Sequence, residues 1–109
     1  DFGYWNWKLE CSYADTIVSD GKTNITDVLT EESLKFIKKN ANKPFFLQLA
    51  YWSPHRPLQD EQKEIEAFMK NNGITRGVAT IYAMIKRMDA GIDSSDGMIW
   101  VLMGKVYGI

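Results

Sequence analysis

Between Phe45 and Tyr51 the chain reads FFLQLAY, apolar except at Gln48, and it then runs into the stiff sequence Ser53-Pro54-His55-Arg56-Pro57. A short apolar run without alternation reads as a strand covered on both faces, as in the parallel sheet of an α/β protein. Such a strand demands helices on either side of it, and this demand restricts the fold class more than any other feature of the sequence.

The flanking sequence supplies them. A helix is predicted over about 27–39, with Thr26 as its N-cap, Asp27 in its first turn, and Lys38 and Lys39 at the end that suits positive charge. Val28, Leu29, Phe36 and Ile37 form its apolar face. A second helix is predicted over about 60–70, with Ile65, Phe68 and Met69 on one side, Glu66 and Lys70 spaced to pair, and Asn71-Asn72-Gly73 as its stop. The clearest periodicity lies over about 75–90, where Val78, Ile81, Tyr82, Ile85 and Met88 are expected to face a core and Gly91 to end the helix. Ahead of these, Asp20-Gly21 is turn chemistry, placed to join short strands around 14–18 and 22–25. The aromatics Phe2, Tyr4, Trp5, Trp7 and Tyr13 follow no single period; they either pack as a local lid or line a cleft.

With 109 residues, 45% of them hydrophobic and 25% charged, the chain has the composition of one small globular domain. The mixed charges, at a net −1, present no basic face for nucleic acid, and no apolar run is long enough for a membrane span. The one cysteine, Cys11, excludes an internal disulfide. Asn24-Ile25-Thr26 matches a glycosylation triplet, but helix capping already accounts for Thr26.

The single histidine, His55, stands four residues beyond Tyr51, where ligands bind in open α/β sheets, past the carboxyl end of a strand. Pro54 and Pro57 restrict the backbone around it, and Arg56 places a permanent cation beside it. Imidazole and guanidinium together suit an oxyanion, and a protonated imidazole can also protonate a departing alkoxide or phenoxide. On chemistry alone, a histidine that merely hydrogen-bonds a neighbouring loop is the commoner case, and a single histidine does not make an active site.

Pro44 to Gln59, PFFLQLAYWSPHRPLQ, resembles the strand-and-turn signature of the type I sulfatases, a pattern near PFFLYLAYxAPHxPLQ. The resemblance extends upstream to TDVLTEESLKFIKKNANKP and downstream to Tyr82-Ala83-Met84-Ile85 and Met88-Asp89, covering residues 22 to 92. It implies a partial sulfatase catalytic domain over 1–109: an internal fragment of an alkaline-phosphatase-like α/β fold, with its core strand at about 45–51. It also implies hydrolysis of an aryl or carbohydrate sulfate ester, with calcium and a formylglycine expected in the full-length parent. His55 would be the catalytic histidine that contacts the sulfate. Arg56 and Trp52 stand at variable positions of the pattern, where Arg56 could also contact substrate. Relatives are commonly exported, which leaves the compartment open.

The departures are specific. Cys11 is followed by Ser12-Tyr13-Ala14-Asp15, not by the C/S-x-P/A-x-R of a formylglycine precursor, and is rejected as the nucleophile. Asp93 and Asp96 do not reproduce the family's metal pair or a calcium loop, so no metal ligand is assigned. Residues 93–109 form an atypical tail, with Ser94 to Gly97 expected as a turn and MIWVLM as a strand; a frame or gene-model artefact is one explanation. Without nucleophile or metal ligands, the isolated chain is expected to be marginally stable and inactive. The alternatives are a phosphodiesterase or phosphonate hydrolase of the same superfamily, or a non-catalytic remnant acting as an interaction module.

Overall fold

A computed structural model describes residues 3–10 and 15–107. Its elements are β1 (Lys8–Leu9), β2 (Ile17–Val18), α1 (Ile25–Lys39), α2 (Gln62–Asn72) and α3 (Arg76–Tyr107). The content is α/β, but the only sheet among the described residues is a two-stranded antiparallel ribbon, with Lys8 opposite Val18 and Leu9 opposite Ile17.

The predicted strand at 45–51 is not a strand in this structure. The segment pairs with no other strand among the described residues, and Phe46 is 84% exposed. A nearly continuous apolar run needs a ladder on both sides to be buried, and the described residues supply no neighbour for one. The segment is held by its side chains instead: Phe45 meets Phe36 of α1 edge-on at 5.5 Å, and the hydroxyls of Tyr51 and Thr30 share a hydrogen bond.

Nor do Asp20 and Gly21 make a hairpin with a strand at 22–25. The Asp20 carboxylate accepts from the Lys22 and Thr23 backbone N–H groups at 2.8 and 2.9 Å and from the Thr23 hydroxyl. These hydrogen bonds hold its pKa below the ordinary 3.8. Gly21 takes φ 76°, the left-handed region a side chain would resist. The result is a turn that delivers the chain to α1.

The α1 cap is Asn24, not Thr26. Asn24 accepts from the Thr26 N–H at 2.8 Å, and it is 2% exposed, which leaves no room for a glycan on its amide. Asp27 does lie in the first turn, and Lys38 and Lys39 do lie in the last. α2 ends on Gly73 at φ 61°, as the sequence predicts, while Glu66 accepts from Gln62 at 2.8 Å. α3 does not stop at Gly91. It runs through the predicted turn and tail strand to Tyr107, and at 1.5 Å per residue its length is about 48 Å. At Gly91 nothing larger fits: a Cβ would lie 2.6 Å from the Tyr51 hydroxyl and would also strike Thr30.

α3 is the centre of the molecule and packs on both α1 and α2. Met84 joins Tyr4, Trp7 and Ile25 in one buried cluster, and Ala79 and Ala83 join Ile65 of α2 in another. Tyr4, Trp5 and Trp7 are therefore mainly a lid; Phe2 and Tyr13 lie outside the described residues. The face of α3 expected to point inward is largely outside: Val78, Tyr82 and Ile85 are 39%, 45% and 41% exposed. The small residues Ala79 and Ala83 allow close helix approach and take the centre of the contact with α2, while Tyr82 meets α2 only at its rim, edge-on to Phe68 at 5.8 Å. The layer is thin, 18 Å in its shortest extent.

Candidate functional site

The turn that follows residues 45–51 is closed by the His55 N–H, which donates to the Trp52 carbonyl at 3.0 Å. The Ser53–Pro54 and Arg56–Pro57 peptide bonds are both cis. The turn is fixed in space from the N-terminal lid. The Tyr4 hydroxyl donates to the His55 carbonyl at 2.7 Å, and the Tyr4 N–H donates to Oε1 of Gln59 at 2.8 Å. The Tyr4 carbonyl in turn accepts from the Ile25 N–H at 2.8 Å, so one residue connects the turn to the start of α1. Burial raises the Tyr4 pKa above the ordinary 10.0, partly offset by its bond to the His55 carbonyl. Gly3 permits this approach, since a Cβ there would lie 2.6 Å from Gln59 Oε1.

The imidazole is oriented from within the turn. His55 Nδ1 lies 2.7 Å from the Arg56 carbonyl oxygen. A carbonyl can only accept, so Nδ1 carries the hydrogen, and Nε2 is the nitrogen left for a ligand. His55 is exposed, and so is Arg56, whose guanidinium enters no ion pair among the described residues. Tyr51, Trp52, His55 and Arg56 line a common cleft of about 450 Å³ with Tyr4, and among the described residues no acidic side chain takes part in its lining. That volume suits a small-molecule site.

The sequence picks out His55, Arg56 and Trp52, and the structure brings all three to this cleft. Tyr4 and Gln59 escape sequence reasoning because their contacts span some fifty positions and follow no periodic signal. Cys11 lies outside the described residues. Asp93 is at the far part of α3, away from the cleft lining.

A second cleft, of about 480 Å³, lies between α1, the start of α2 and α3. Its cations, Lys63, Lys86 and Arg87, are all paired already. Arg87 donates to Asp60 at 2.9 and 3.2 Å, to Asp27 at 2.6 Å and to Glu61 at 3.3 Å. The hydrogen bonds to Asp60 raise the guanidinium pKa above its usual range, and the ring of Trp5 lies 5.8 Å from the cation. Lys86 holds Glu64 below its ordinary pKa from 2.8 Å. This is the clamp between α1, α2 and α3, and it leaves the cationic cleft at His55 as the place for an anion.

Among the described residues, no three His, Cys, Asp or Glu side chains group to hold a metal ion. No helix among them is long and apolar enough to cross a membrane. A family model described as Sulfatase matches residues 2–94. No curated protein matches the chain.

Proposed function

The chain belongs to the sulfatase family, and on that premise we propose that its cleft binds the ester end of a sulfate monoester, with His55 at the ester oxygen. The reaction served is R–O–SO3⁻ plus water giving R–OH and sulfate. The observation that carries the reading is the Nδ1 contact to the Arg56 carbonyl, which leaves Nε2 as the working nitrogen. In its cationic form, His55 hydrogen-bonds the ester oxygen through Nε2–H. As the S–O bond breaks, that proton passes to the departing oxygen, giving the alcohol and a neutral imidazole. Without this transfer the leaving group would depart as an alkoxide.

Arg56 adds a guanidinium that keeps the cleft attractive to anions. Tyr4 holds the turn, and so the imidazole, in register with the lid. The described residues do not fit the calcium and formylglycine of the family: they hold no ligand cluster, and Cys11 lacks the precursor motif. No step is therefore routed through either group.

The test is His55→Ala in the intact gene product that carries these residues. Turnover of phenyl sulfate, whose unactivated phenoxide needs the proton, should fall by roughly a hundredfold or more, the scale of a lost general acid. Unchanged turnover would reduce His55 to a structural residue.

A further inference from the structure

The cleft holds more than a sulfate ester's anionic end requires. Trp52 and His55 occupy the first and last positions of one hydrogen-bonded turn, so their Cα atoms lie within about 7 Å of each other. The Trp52 side chain is not consumed by the core, being 39% exposed. Tyr51 stands next to it, with its hydroxyl occupied by Thr30. Of the three arginines, Arg76 is bonded to Gln62 and Arg87 to Asp60, Asp27 and Glu61, while Arg56 has no acidic partner among the described residues. The cleft therefore offers an aromatic surface and a guanidinium beside the imidazole, with no carboxylate in its lining among the described residues.

Resting on the sulfate-ester reading, we propose that the alcohol part of the substrate is a flat-faced ring bearing a second anionic group, with Trp52 as the ring's stacking surface and Arg56 as the partner of the second anion. An arginine fork matches a carboxylate or sulfate oxygen pair bidentately, and a half-exposed indole gains contact area when a ring covers it. A single sulfate engaging His55 alone leaves the guanidinium with water. A second anion on the same molecule gives it a partner without a further loss of translational freedom. Trp52 and Arg56 are then specificity-determining residues, and His55 keeps the role given above.

The experiment is a binding ladder on the full chain, followed by the His55 imidazole and Trp52 indole resonances. The probes are inorganic sulfate, phenyl sulfate and 4-carboxyphenyl sulfate. All three should perturb His55. Affinity should rise severalfold from sulfate to phenyl sulfate, with the indole shifting only for the ring-bearing probes. It should rise roughly tenfold again with the carboxylate, the scale of one charge-assisted hydrogen bond. Arg56→Gln should erase the last step alone, and Trp52→Ala the ring step. Equal affinity for the two aryl sulfates, or a carboxylate gain that survives Arg56→Gln, overturns the proposal while leaving sulfate binding at His55 intact. If no probe moves His55, the sulfate-ester reading falls and the proposal falls with it. The ladder on the unaltered chain decides the matter even if a variant does not fold.

Discussion

The phenolic hydroxyl of Tyr4 donates to the backbone carbonyl of His55 at 2.7 Å, across 51 positions of sequence. The bond puts the orientation of the only histidine under the control of a lid residue that is itself 3% exposed. The candidate site is thus assembled from the N-terminal segment as much as from the turn that carries the imidazole.

Tyr4→Phe tests this bond with the ring burial retained. The expected cost is about 1 kcal/mol, the worth of one buried hydrogen bond plus a His55 carbonyl returned to water. The pH dependence has a definite sign. Because the folded Tyr4 pKa lies above 10.0, its contribution is complete below pH 10 and is lost as pH rises through the folded value. Urea midpoints measured between pH 8 and 11 should fall with pH in the wild type and fall less steeply in Tyr4→Phe.

Arg87 should be the most sensitive charged position. Its side chain is 17% exposed and that of Asp60 is 2% exposed. Arg87→Ala would leave the Asp60 carboxylate buried with only the Glu61 N–H to accept from. The expected loss is about 3 kcal/mol, and Arg87→Lys should recover only part of it, because one ammonium cannot reproduce the fork to Asp60 and Asp27. Equal midpoints for Arg87→Ala and wild type would show that the clamp contributes nothing.

Gly91→Ala sets two effects against each other. Alanine gains about 1 kcal/mol over glycine by helix propensity. The added Cβ would meet Tyr51 and Thr30 side-chain atoms, forcing the α1–α3 contact apart at a cost of about 1–3 kcal/mol. The steric effect is expected to win, so thermal unfolding should show a lower Tm. A higher Tm would mean that the Thr30–Tyr51 pair moves aside without penalty.

Ser53→Ala should go the other way. The Ser53 hydroxyl is buried and has no hydrogen-bond partner among the described residues. Removing it relieves a desolvated polar group, and the variant should equal or exceed the wild type by up to about 1 kcal/mol. Loss of stability in Ser53→Ala would reveal a partner for this hydroxyl.

How much of this was legible in the sequence differs by scale. α1, α2 and the first half of α3 were readable, because capping residues, Gly73 and a 3.6-residue period act locally. The site turn was readable too, since the prolines around His55 restrict the backbone by themselves. The strand at 45–51 was not, because a strand exists only through its neighbours. The inward face of α3 also misled: hydrophobicity marks Val78, Tyr82 and Ile85, while the contact with α2 is decided by how closely Ala79 and Ala83 let the helices approach. Asn24 rather than Thr26 caps α1 because the helix starts at Ile25: Thr26 is already inside it, and Asn24, in extended backbone, accepts from the Thr26 N–H. That Gly91 serves as a point of close approach to Tyr51 and Thr30, and not as a helix stop, was hidden because both are far away in sequence.

Residues 45–51 have one more consequence. Their amide hydrogens belong to no ladder, so they should exchange with solvent far faster than those of α1 beside them, and chymotrypsin should cut first near Phe46. The imidazole therefore hangs from a stretch of chain that is ordered by side chains at its two ends, Phe45 against Phe36 and Tyr51 against Thr30. A nick between those ends would leave both anchors in place. The turn could then stay docked on Tyr4 after the covalent path to it has been cut, and the position of His55 would be a property of noncovalent fit and not of chain continuity.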